Sequence, residues 1–142
     1  MSTDERLQLA GVWKVISQKI EFQDGGPPGA PYGDNPDGYL ILTTQGRMMA
    51  FVARKGRPIP GSDAEAAAAF RSMIAYTGRY TVAGDTWSTR VDGAWNPAWI
   101  GTEQVRHFKL DGDRLDVVTM WQPQVNFGGR IGRAIVSWER VK

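Results

Sequence analysis

The stretch Gly101-Thr102-Glu103-Gln104-Val105-Arg106-His107-Phe108-Lys109-Leu110, then Asp111-Gly112-Asp113, then Arg114-Leu115-Asp116-Val117-Val118-Thr119-Met120-Trp121 decides the fold. On both sides of the turn the side chains alternate with period two, as in a strand with one face buried, and Asp-Gly between two such runs is a hairpin signal. The same grammar repeats outward. Alternating stretches rich in β-branched and aromatic residues cover 12–22, 39–44, 47–54, 76–83, 86–93, 101–110, 114–121 and 131–141. Tight turns at Thr44-Gln45-Gly46 and Ala83-Gly84-Asp85 join two of the pairs. Local connections between about eight strands predict an all-β, eight-stranded antiparallel up-and-down barrel, because closure removes the exposed edges. A two-sheet sandwich is the alternative.

One helix interrupts the strands. Ser62-Asp63-Ala64-Glu65 is a capping box, and Ala66 to Ala69 with Phe70, Met73 and Ile74 continue at helical spacing. The helix is predicted over Asp63 to Ala75, between the third and fourth strands, with a weaker one over Thr3 to Leu9. The Gly- and Pro-rich segment from Asp24 to Gly38 is a long surface loop, and Arg54 to Gly61 is a shorter one. Loops 24–37 and 54–62 are expected to gate entry to the lumen.

Composition removes several function classes. The 142 residues contain no cysteine and a single histidine, His107, which excludes thiolate chemistry, disulfides and a two-histidine metal site. No metal and no cofactor is called for. Net charge is only +2, and the twelve arginines are interleaved with acids, so no nucleic-acid partner is expected. The glycines of 128–133 lack the strand-to-helix setting of a nucleotide loop. The polar start and the absence of any long apolar run predict one cytoplasmic domain over 1–142, with no membrane partner, as monomer or homodimer.

Strand parity then assigns faces. Phe108 and Leu110 turn Thr102, Gln104 and Arg106 inward, and leave Glu103, His107 and Lys109 outside. Tyr76, Tyr80 and Val82 point in, as do Trp87, Thr89 and Val91, then Leu115, Val117, Thr119 and Trp121, then Ala134, Val136 and Trp138. Asp92, Glu103, Asp116 and Glu139 fall outside, which argues against a paired-carboxylate hydrolase. An inward arginine is costly unless an anion or a polar network meets it. The expected function is binding of a small hydrophobic or aromatic molecule, with a polar or anionic end, in the lumen. Arg106, Gln104 and Tyr80 would hold the polar end, Thr89 and Thr119 would add hydroxyls, and Trp87, Trp99 and Trp121 would hold the apolar body. The alternative is a cofactor-independent isomerase or cyclase acting on a polyketide- or terpenoid-like intermediate. There Arg106, Tyr80 and Tyr76 would be the catalytic groups that stabilise developing negative charge.

Specific stretches carry a family resemblance. Gly11-Val12-Trp13 resembles the Gly-x-Trp opening of lipocalin-type barrels, and Trp138-Glu139-Arg140-Val141 resembles its closing partner, whose arginine covers that tryptophan. With Asn35 to Leu40, Gly46 to Met48, Ala75 to Tyr80, Asn96 to Arg106 and Leu110 to Leu115 in order, the chain resembles the bacterial and fungal lipocalin-like domain family. The resemblance implies a calycin-like barrel with a ligand cavity and no single reaction. Relatives often carry a histidine where this chain has Thr89, so a histidine-based acid–base step does not transfer.

Overall fold

The computed structural model describes residues 2–124 and 127–142. The deciding hairpin forms from Glu103–Asp111 and Arg114–Thr119, with Gly112 taking a left-handed φ of 59° in the tight turn. In chain order the strands are β1 (Gly11–Phe22), β2 (Asp37–Leu42), β3 (Arg47–Ala53), β4 (Met73–Ala83), β5 (Thr86–Ala94), β6 (Glu103–Asp111), β7 (Arg114–Thr119), β8 (Gln122–Gln124) and β9 (Arg130–Arg140). Each strand from β1 to β7 pairs antiparallel with the next, and β9 pairs with β7 and with β1, so the sheet closes on itself. The three-residue β8 pairs with β9 just beyond β7, making it the broken continuation of β7. The barrel therefore has eight staves, as expected, and is not a sandwich.

Two helices attach to it. Helix α1 (Ser2–Leu9) precedes β1, and α2 (Asp63–Arg71) lies between β3 and β4. Ser62 accepts the Glu65 N–H while Glu65 accepts the Gly61 N–H, so the capping box forms, reaching back one residue further than its minimal version. The helix ends at Arg71, short of the predicted Ala75. Met73, Ile74 and Ala75 pair instead with Ala53, Val52 and Phe51, because extending the β3–β4 ladder satisfies more backbone than one further helical turn.

Predicted strand parity holds along β4, β5, β6, β7 and β9. Two irregularities change it elsewhere. A bulge at Ile16 in β1 shifts the register against β9, so Trp13 and Val15 point in, Ile16 is pushed out, and Gln18, Ile20 and Phe22 resume the inward face. The break after Thr119 also matters: Trp121, predicted inside, is exposed, with Arg133 stacked 4.5 Å from its ring centre. Losing the ladder for two residues lets that side chain leave the inner face.

The two ends of the barrel differ. Turns 43–46, 83–86 and 111–114 and helix α1 lie at the closed end, where Leu9, Trp13, Leu42, Met48 and Leu115 are essentially inaccessible. The long connections 23–36, 54–72 and 95–102, with residues 120–124 and 127–129, lie at the other end.

Candidate ligand cavity

A cavity of about 420 Å³ fills the barrel towards the long connections, with Trp138 among its lining and Trp13 outside it. That volume lies within the usual range for a small-molecule site. Its apolar wall includes Ile20, Leu40, Val52, Val117 and Val136.

Arg106, on β6, projects into this space with 6% of its surface exposed. Its guanidinium donates to Tyr76 Oη at 3.2 Å, to the Val105 carbonyl at 3.2 Å and to Gln104 Oε1 at 3.4 Å. Gln104 in turn donates to Thr102 Oγ1 at 2.9 Å, and Thr102 donates to the Trp99 carbonyl at 2.6 Å. This relay turns the amide oxygen toward the cation and holds the guanidinium in place. Every one of these partners is neutral. Among the described residues no carboxylate forms an ion pair with Arg106. A buried cation with only neutral dipoles around it is incompletely compensated, and it attracts whatever negative or strongly dipolar group enters the cavity.

Aromatic rings collar the mouth. Tyr76 and Trp99 lie 5.1 Å apart, Trp99 and Trp95 5.3 Å, and Trp95 and Phe70 6.0 Å between ring centres. The Trp95 indole donates to the Phe70 carbonyl at 3.2 Å, tying the collar to the end of α2. Deeper in, Trp87 stacks on Phe108 at 5.6 Å and is 2% exposed. Tyr32, from the loop after β1, also borders the cavity, and burial pushes its phenol up to about 12. That loop is tied back by backbone hydrogen bonds between Gly29 and Ile20, and by Arg54 donating to the Pro31 carbonyl.

The structure brings together Arg106, Gln104, Tyr76, Trp87, Trp99 and Thr119 of the predicted set, all of which border the cavity. Thr119 Oγ1 also accepts the Ala134 N–H at 2.8 Å. Three residues fall elsewhere. Tyr80 faces inward but sits toward the closed end, its hydroxyl donating to the Thr43 carbonyl at 2.7 Å and its ring 5.7 Å from the Arg6 guanidinium. Burial raises its pKa, opposed by Arg6. Thr89 is fully buried without bordering the cavity, and Trp121 is outside. Loop 54–62, expected to gate entry, contributes no residue to the cavity lining; Phe70, Arg71 and the 95–99 segment stand there instead. His107 is exposed, 4.0 Å from Asp85.

Sequence reasoning missed Gln18. It borders the cavity, is 7% exposed, and its Oε1 has no hydrogen-bond partner; the same is true of the Trp87 indole nitrogen. Only the bulge at Ile16 turns Gln18 inward, and no residue type announces that bulge.

A closed antiparallel barrel holding an internal cavity with polar anchors is the architecture of small-molecule binding barrels. The chain belongs to the lipocalin-like domain family, whose model matches residues 10–141. It is 36% identical over 109 residues, 66% of its own length and 96% of the relative's, to the 4'-hydroxy-3'-methoxypropiophenone carrier protein ppsC of Aspergillus oryzae. It is also similar in shape to the crystal structure of an uncharacterized protein from Bacteroides eggerthii, at 14% identity and a TM-score of 0.47, over 93% of this chain and 98% of the other. Among the described residues, no helix is long and apolar enough to cross a membrane.

Proposed function

We propose that this protein carries a small aromatic molecule with an acidic or carbonyl end, bound inside the barrel. The single observation behind this reading is Arg106, a buried cation without a carboxylate partner among the described residues, bordering an aromatic-lined cavity. The polar end sits against Arg106, Tyr76 and Gln104, and the ring lies between Trp87 and the Trp99 collar. Burial of a flat apolar body contributes the bulk of the affinity, and the guanidinium sets orientation. The relative named as carrier of an aryl ketone supports this class of cargo.

Titration with planar aromatic acids and aryl ketones is expected to quench tryptophan fluorescence, since Trp87, Trp95 and Trp99 border the cavity. Arg106→Met should weaken acid binding by roughly 10- to 100-fold, the scale of a lost charge-assisted hydrogen bond. Absence of quenching by every such compound contradicts the proposal.

A second reading, the isomerase or cyclase, draws on the Tyr76 hydroxyl resting on the Arg106 guanidinium, a pair suited to stabilising an enolate oxygen. Turnover of a bound intermediate that disappears in Tyr76→Phe, with binding retained, separates it from carriage.

A further inference from the structure

We infer that the cavity holds a second polar subsite on the opposite wall, and that its cargo is bipolar: an acceptor group at Arg106 and a hydroxyl at Gln18. This rests on the carrier reading above and specifies the class of molecule carried.

The argument begins with barrel geometry. In an eight-stave barrel, staves four steps apart face one another across the lumen. By the strand order β1 and β5 stand in that relation, whichever way round one counts. Trp87 on β5 pairs directly with Arg106 on β6, so the indole N–H and the guanidinium belong to one wall. Gln18 on β1 belongs to the wall facing them, where it pairs with Val136 of β9.

Both walls carry unmet polarity. Gln18 is 7% exposed with an unpartnered Oε1, and Trp87 is 2% exposed with an unpartnered Nε1. Buried polar atoms are ordinarily paired, and leaving one unpaired has a desolvation cost. Among the described residues, the other two buried unpartnered atoms, on Arg6 and Thr89, belong to residues outside the cavity lining. The two inside it are complementary in kind. Trp87 adds a donor beside the cationic donors of Arg106, so that wall asks for an oxygen acceptor. Gln18 presents an amide with an unpartnered oxygen and an NH2 donor beside it, so its wall suits a hydroxyl, which can donate to the one or accept from the other. A rigid aromatic ring with a carboxylate or ketone oxygen on one side and a hydroxyl on the other meets both. A purely apolar body, or one polar only at the Arg106 end, leaves the Gln18 amide uncompensated.

The test uses 4-hydroxycinnamate and cinnamate, which differ by that one hydroxyl, titrated calorimetrically into the full-length protein. The wild type is expected to prefer the hydroxylated acid by about tenfold, one net hydrogen bond to an otherwise unpaired buried acceptor. Gln18→Leu should remove the preference by lowering affinity for the hydroxylated acid to that for the plain one. Gln18→Met serves as a second variant should Leu disturb the fold, and the wild-type comparison stands without either. If both acids bind in an Arg106-dependent way with equal affinity, or the preference survives in the Gln18 variants, the second subsite is overturned while carriage stands. If neither acid binds, carriage of planar acids fails and the subsite fails with it.

Discussion

The two ends of this barrel treat buried polar groups in opposite ways. At the closed end, the Trp13 indole donates to the Leu9 carbonyl at 2.9 Å. Arg140 lies 4.2 Å over the Trp13 ring and donates to the Ala10 and Gln8 carbonyls. Tyr80 donates to the Thr43 carbonyl. Among the described residues, the buried side-chain polar atoms outside the cavity that lack a partner are Arg6 Nε and Thr89 Oγ1, both on residues that no cargo in the cavity would touch. In the cavity, by contrast, Arg106 meets only neutral dipoles, and Trp87 and Gln18 are left with unpartnered atoms. Satisfied networks rigidify a core, and unsatisfied ones raise the free energy of the unliganded state and reward an incoming ligand. The difference separates a stabilising end from a binding end.

The largest effect expected from breaking that separation is at Trp13. Trp13→Ala removes a fully buried ring and the platform under Arg140, and should cost roughly 3–5 kcal/mol of folding stability, read by chemical denaturation. A loss confined to ligand affinity would contradict the assignment of that end to stability.

A pair of tyrosines sharpens the contrast at smaller amplitude. Tyr80→Phe removes one of two donors to the Thr43 carbonyl, which keeps the Gly46 N–H, and should lower stability by roughly 0.5–1.5 kcal/mol with acid affinity unaltered. Tyr76→Phe removes a hydroxyl that, among the described residues, Arg106 alone engages, and should change stability less while weakening acid binding several-fold. Equal behaviour of the two variants in both assays would erase the distinction between the ends.

Both tyrosines stand on one strand face, and this shows what parity in a sequence conveys. Alternation reports which side of the sheet a residue occupies, so the inward positions of Tyr76, Tyr80, Thr89, Gln104 and Arg106 were readable from β4 to β6. It does not report height along the barrel axis. Tyr80, four residues beyond Tyr76, therefore lands beside α1 instead of Arg106. Parity also fails silently at irregularities. The extra residue at Ile16 delivers Gln18 to the cavity, and the break after Thr119 releases Trp121 to solvent. Both are backbone events that no side-chain pattern marks. The Trp13–Arg140 plug was legible through the resemblance to the Gly-x-Trp opening and closing arginine of lipocalin-type barrels, and the β1–β9 pairing brings the two together.

The most direct test of the contrast is the indole N–H spectrum of nitrogen-15-labelled protein, whose six tryptophans sample both ends. Saturation with a planar aromatic acid should shift the Trp87 resonance strongly and leave the Trp13 resonance, already committed to the Leu9 carbonyl, in place. A bound acid that moves Trp13 and leaves Trp87 still would contradict the account.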